Sequence, residues 1–409
     1  MGTRRDGAGK GYTSGTHRLI SPRETLDRLR PLLPRMGITR LANVTGLDHI
    51  GIPVVMACRP NSRSLAVSQG KGMDLDAAKV SAAMESIETY HAEHVTLPLQ
   101  LATYRELRAR RAVADVELLR RPIDSHFHAD YPILWVEGED LIGHEKILLP
   151  YQLVHCAYTK EWMFDLRCFA ADSTGLASGN HLLEAASHAI CEVVERDAHA
   201  GWDQLSEPER EARRVNLETV DDPLCREALD RFERAGVAVS VHDITTAVGI
   251  AAYACQIADL HASPLRPIAS TSGFGCHPVR GIALLRALTE AAQSRLTVIA
   301  GSRDDAWWDD YRRALDPDVL AEQRRRIDAP GSWCFAAAPN FVSTSFEDDV
   351  AWELDRVREA GFGQAILVDL TQEEFGLPVV RVRIPGMEMP APRSEVHREG
   401  GRSPEEERP

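Results

Sequence analysis

Apolar residues recur along this chain with two spacings, and the switches between them mark its elements. Pro22 to Leu33 has a helical pattern, with Ser21 placed to cap it and Glu24 three positions on, the spacing of a capping box. Ile52 to Ala57 and Leu65 to Ser68 read as strands joined by the turn Pro60-Asn61-Ser62. Ala77 to His94, His181 to Ala200 and Arg280 to Ile299 predict three long helices. Leu134 to Val136 and Ile147 to Leu149 read as short strands, Val237 to His242 and Ile250 to Ile257 as a strand pair, and Ala365 to Asp369 and Val379 to Ile384 as late strands. Asp304 to Asp328 is a charged stretch. No break in composition divides the middle of the chain. The pattern therefore predicts one α+β domain over residues 21–393, preceded by a polar arm, 1–20, and followed by a polar, aperiodic tail, 394–409.

The three long helices repeat one another. Their sequences contain Glu85 and Glu88, Glu192 and Glu195, and Glu290 and Gln293, each pair at i and i+3. Four positions before each first glutamate stands a polar residue: Ser81, His188 and Arg286. Positions i, i+4 and i+7 share one helix face, so each helix carries a polar stripe on an otherwise apolar surface. A glycine-containing turn is predicted before each: Ser68 to Gly72, Ser178 to Asn180 and Gly273 to Gly275.

One such pair is ordinarily a solvated face, but three in register ask for a common explanation. If the stripes converge, five carboxylates meet, repel one another and raise each other's pKa unless cations lie among them. Hard oxygen donors with one amide suit Mg²⁺, which pairs with substrate phosphates. Lys71, Arg196 and Arg286 lie on or beside the stripes, and the combination is that of a nucleotide site. There is no G-x-x-x-x-G-K-[ST] and no G-x-G-x-x-G after a strand, so neither a P-loop nor dinucleotide binding is supported. Three lesser features carry little: Asp305 and Asp309-Asp310 in a Trp-rich stretch, the pair His126 and His128, and Gly175 to Gly179, which lacks the spacing of a nucleophile elbow.

The chain has 409 residues, 44% hydrophobic and 26% charged, with 47 basic against 61 acidic side chains and a formal charge of −14. A coat for nucleic acid or an anionic membrane would be basic, so neither is expected. The start has no apolar signal segment, and no run is long enough to span a bilayer. The eight cysteines are scattered without a C-x-x-C pair, which points to free thiols in the cytoplasm rather than disulfides or zinc.

The runs SQGKGMDLDAAKVSAAMESIE, ASGNHLLEAASHAICEVVERDA and GFGCHPVRGIALLRALTEAAQSR resemble the three signatures of the YcaO family, in order. KGYTSGTHRLISPRETL and TGLDHIGIPVVMACRPN resemble its stand-alone branch that works with TfuA-like proteins. The resemblance spans residues 8 to 385. It implies an α+β fold around a nucleotide pocket, and ATP-dependent activation of a backbone amide in a ribosomally made peptide or protein. It implies Mg²⁺ ligation by Glu85, Glu88, Glu192, Glu195 and Glu290. Contacts to ATP are implied for Arg18, Thr25, Lys71, Ser81, Asn180, Glu184, Arg196, Arg286 and Gln293.

Two departures bear on the product. Glu88 is followed by Thr89 where the family's first signature commonly has arginine. Pro390-Ala391-Pro392 is only part of the proline-rich end found in azoline-forming relatives. The resemblance thus favours a thioamide, with azoline or amidine formation as alternatives. A magnesium-dependent phosphohydrolase or lyase is a more distant reading, and a non-catalytic scaffold is a third. The implied partners are a precursor peptide and a TfuA-like, leader-binding protein; a homodimer is compatible with the sequence.

Overall fold

The computed structural model describes residues 8–158, 167–260, 268, 270–301 and 317–387. The helices are α1 (Pro22–Leu29), α2 (Leu75–Glu93), α3 (Tyr104–Arg108), α4 (Leu182–Gln204), α5 (Glu207–Ala212), α6 (Pro223–Arg234), α7 (Arg280–Ala300), α8 (Pro317–Ile327) and α9 (Phe346–Glu359). The strands are β1 (Arg40–Asn43), β2 (Val54–Cys58), β3 (Val67–Lys71), β4 (Leu99–Thr103), β5 (Pro132–Asp140), β6 (Glu145–Pro150), β7 (Leu176–Ser178), β8 (Val237–Asp243), β9 (Ala252–Asp259), β10 (Thr271–Cys276), β11 (Ile366–Asp369) and β12 (Val379–Arg383). Two antiparallel three-stranded sheets run β1-β2-β3 and β10-β9-β8. A six-stranded sheet runs β4-β5-β11-β12-β7 with β6 on β5.

Each long helix sits in its own core. Ala78, Ala82, Ala83 and Ile87 of α2 pack with β2 and the strands of the large sheet. Ala283, Leu284, Ala287, Leu288 and Ala291 of α7 pack with α6, β8 and β9. Ala185, Ala189, Ile190, Val193 and Val194 of α4 pack with β12 and α9. The capping box at α1 forms as predicted, Ser21 and Glu24 bonding reciprocally.

The glycine segments before α2 and α7 are strands rather than turns. β3 pairs with β2 through Val54↔Lys71 and Val55↔Gly70, and β10 pairs with β9 through Gly273↔Cys255. A Cβ on Gly70 would overlap the backbone of Ala78 and Ala82 in α2, and one on Gly273 the backbone of Ala287 and Ala291 in α7. The glycines let each strand lie directly against the alanine face of the helix that follows it.

The N-terminal arm is built into the fold from residue 8. Ala8 N donates to Glu347 Oε1 (2.8 Å), Lys10 N to Thr344 O (3.0 Å), and Lys10 Nζ meets Asp349 Oδ2 at 2.6 Å with both side chains buried. Tyr12 and Arg18 then bridge in antiparallel fashion. The charged cluster at Asp305, Asp309 and Asp310, the prolines at 390–392 and the tail 394–409 lie outside the described residues.

Candidate active site

On α2, Ser81 and Glu88 are half-buried and Glu85 is exposed. Glu88 Oε1 accepts from Ser178 N (2.9 Å) and Ser178 Oγ (2.7 Å) at the end of β7. Burial pushes the Glu88 carboxyl up to about 8; the bonds from Ser178 oppose this, and the charges of Glu85 and Glu192 add to it. The stripe of α4 comprises Glu184, His188, Glu192 and Glu195. Burial raises Glu192 to about 7, against Arg196, whose Nη2 lies 3.9 Å from Glu192 Oε1. Glu195 is buried and raised, first by burial and then by Glu290. On α7, burial acts upward on Glu290, but Lys71 and Arg196 overcome it and hold the carboxyl low. Lys71 Nζ pairs with Glu290 Oε2, and Phe274 N donates to Oε1 at 3.2 Å.

Charge acts across helices from Glu192 of α4 on Glu88 of α2, and from Glu290 of α7 on Glu195 of α4. Convergence is looser than five carboxylates around one point. Among the described residues, no three His, Cys, Asp or Glu side chains lie close enough to hold one ion. Protein partners engage three of the carboxylates: Ser178 on Glu88, Arg196 beside Glu192 and Lys71 on Glu290.

Other predicted residues form a second group beside the arm. Arg18 Nε lies 3.7 Å from Glu184 Oε1, and Leu19 N donates to Glu184 Oε2 at 3.0 Å. Asn180 Nδ2 donates to Thr25 Oγ1 (3.1 Å), and Arg28 Nη1 to Asn180 Oδ1 (3.2 Å). Arg286 Nη2 approaches His188 Nε2 at 2.9 Å. Gln293 does not join the carboxylates through its amide nitrogen, which donates to Gln69 O of β3 at 3.4 Å. A surface cleft of about 410 Å³, lined by Tyr12, Ser21, Pro22, Arg23, Asp74, Leu75 and Asp76, contains none of the predicted residues.

Sequence reasoning missed Ser178 and Arg28. Ser178 stood in the run dismissed as a nucleophile elbow; it is a hydrogen-bond donor to Glu88 instead. Arg28 follows Thr25 by three positions on α1, a spacing that marked it as a neighbour. Among the described residues His126 and His128 join no metal-binding group, and all eight cysteines are free thiols.

A family profile described as YcaO cyclodehydratase, ATP- and Mg²⁺-binding, matches residues 69–388. The chain belongs to the YcaO family. An uncharacterized protein in the 3′ region of tfuA of Rhizobium leguminosarum bv. trifolii is 37% identical over 378 residues, covering 91% of this chain and 89% of that one. An uncharacterized protein of Mycobacterium tuberculosis is 39% identical over 385 residues, covering 92% and 83%. The structure of YcaO from Methanopyrus kandleri bound with AMPPCP and Mg²⁺ superposes with a TM-score of 0.73 at 26% identity, over 93% of this chain and 94% of that one. A heterocyclase in complex with substrate and cofactor, at 23% identity and a TM-score of 0.77, shares the fold.

The chain is thus a mixed α+β YcaO protein, an ATP- and Mg²⁺-dependent enzyme that acts on peptides. The stripes fit those groups: all the acidic donors are hard oxygens, and a divalent cation would relieve the burial and repulsion that raise Glu88 and Glu192. Among the described residues no helix is long and apolar enough to cross a membrane.

Proposed function

We propose that this YcaO protein activates a peptide backbone amide through its oxygen. The observation that carries the reading is the electrostatic coupling of carboxylates on α2, α4 and α7 beside Lys71, Arg18, Arg196 and Arg286. Glu85, Glu88, Glu192, Glu195 and Glu290 hold Mg²⁺ on this reading. Ser81, Thr25, Asn180, Glu184 and Gln293 border the nucleotide, and the four cations face its phosphates. Mg²⁺ with ATP supplies the γ-phosphoryl group and neutralises its charge. The chain's part is to hold phosphates and amide in line and to keep water out. A nucleophile adds to the amide carbon, the oxygen takes the phosphoryl group, and phosphate leaves with that oxygen while the nucleophile's proton is released. No side chain of the enzyme need form a covalent bond.

The nucleophile decides the product. The cyclodehydratase description of the matched family and the shared fold of a heterocyclase favour ring closure by a neighbouring Cys, Ser or Thr of the peptide, giving an azoline. The tfuA neighbourhood of the Rhizobium relative supports the second reading, sulfide attack giving a thioamide with a TfuA-like partner. Mass spectrometry of a precursor peptide treated with ATP and Mg²⁺, with and without sulfide and partner, separates them. Loss of one water marks an azoline, and exchange of oxygen for sulfur marks a thioamide. ATP hydrolysis with an unchanged peptide under every condition would refute amide activation.

A further inference from the structure

Arg286 is a guanidinium held by a neutral group. Its Nη2 lies 2.9 Å from His188 Nε2, so Nε2 carries the lone pair and accepts. His188 is kept unprotonated by burial and by the charges of Arg286, Arg18 and Lys71 around it. Arg286 Nε is buried without a hydrogen-bond partner, and no carboxylate contact within 4 Å is seen for Arg286 among the described residues, although its charge acts at longer range on Glu192 and Glu195. Its neighbours in the sequence pattern do otherwise: Lys71 pairs with Glu290, and Arg196 and Arg18 each have a carboxylate within 4 Å. A carboxylate at position 188 would fix the guanidinium equally well but would cancel its charge. An imidazole fixes the geometry and leaves the charge available to an incoming anion.

We propose that His188 is a positioning residue that aims Arg286 at the phosphates of the bound nucleotide without adding a negative charge of its own beside the guanidinium. The proposal rests on the assignment of the carboxylate site to ATP, and it deepens that assignment by giving a role to a residue that sequence analysis placed on the stripe without one. Spacing favours it: His188 lies one turn from both Glu184 and Glu192 on α4, and Arg286 one turn before Glu290 on α7.

The test is a pair of near-isosteric variants, His188→Gln and His188→Glu, which differ in charge and not in reach. Affinity for Mg²⁺·AMPPCP is measured by calorimetry, with thermal midpoints as the check on folding. His188→Gln keeps a neutral acceptor and should bind within about threefold of the parent, whereas His188→Glu should bind at least about tenfold more weakly with a similar midpoint. Equal affinities in the two variants would overturn the proposal. Should the Glu variant fail to fold, His188→Leu takes its place: a roughly tenfold loss with the midpoint retained supports the role, and undiminished affinity overturns it. Glu192→Gln in the same series separates the two levels of inference. If it and His188→Glu both leave affinity unchanged, the site assignment fails; if Glu192→Gln weakens binding and His188→Glu does not, only the role of His188 fails.

Discussion

Glu88→Gln is expected to stabilise the metal-free protein while disabling it. The Glu88 carboxyl is raised from an ordinary 4.5 to about 8 in the folded chain, chiefly by burial. The folded state therefore holds this proton more tightly than the unfolded chain, and stability falls as pH rises between those values. From about pH 5.5 to about pH 8.5, linkage of this one group gives a loss of about 3 kcal/mol as a ceiling, and about 2 kcal/mol once partial solvent access is allowed for. Glutamine removes the titration and keeps an oxygen for the bonds from Ser178 N and Oγ. The assay is urea denaturation of parent and variant in a metal chelator at the two pH values. The parent should lose about 2 kcal/mol relative to the variant on going to the higher pH. Mg²⁺ and ATP should then reverse the order by stabilising the parent alone. Parallel shifts of both proteins with pH would show that Glu88 is ionised in the free protein and would refute the reasoning.

Three further outcomes are expected. Glu192→Gln and Glu85→Gln should each lower ATP turnover about 100-fold or more with little change in thermal midpoint, and AMPPCP binding should require Mg²⁺, both readable by phosphate release and calorimetry. Gly70→Ala and Gly273→Ala should each cost about 1–3 kcal/mol in denaturation, because the added methyl meets helix backbone that cannot move aside. Lys10→Ala should leave Asp349 as a buried uncompensated carboxylate, lowering stability by about 3 kcal/mol, and should weaken nucleotide binding through the arm that carries Arg18.

Periodicity made the three long helices legible to within a few residues at each end, and with them the stripes, since a stripe is a property of one helix and its spacing is local. The capping box at Ser21 and the pair β8–β9 were legible for the same reason, whereas the strand expected at Leu65 to Ser68 runs instead from Val67 to Lys71, through residues whose glycines read as a turn. β10 was not: in Thr-Ser-Gly-Phe-Gly-Cys the glycines read as a turn, and only the alanine face of α7 against them makes a strand the stable choice. β7 is three residues long, too short to show any period. Within the stripes the sequence treated Glu85 and Glu88 alike, but the packing leaves one exposed and half-buries the other against Ser178. It placed Ser81, His188 and Arg286 at equivalent positions, yet only the crossing of α4 and α7 sets His188 on Arg286. It set residues 1–20 apart as an arm, whereas residues from Ala8 onward are joined to α9 and deliver Arg18 to Glu184. Local order follows from spacing along one chain segment; charge state, pairing and burial depend on which segments meet, and that is settled only when the cores around the three helices close.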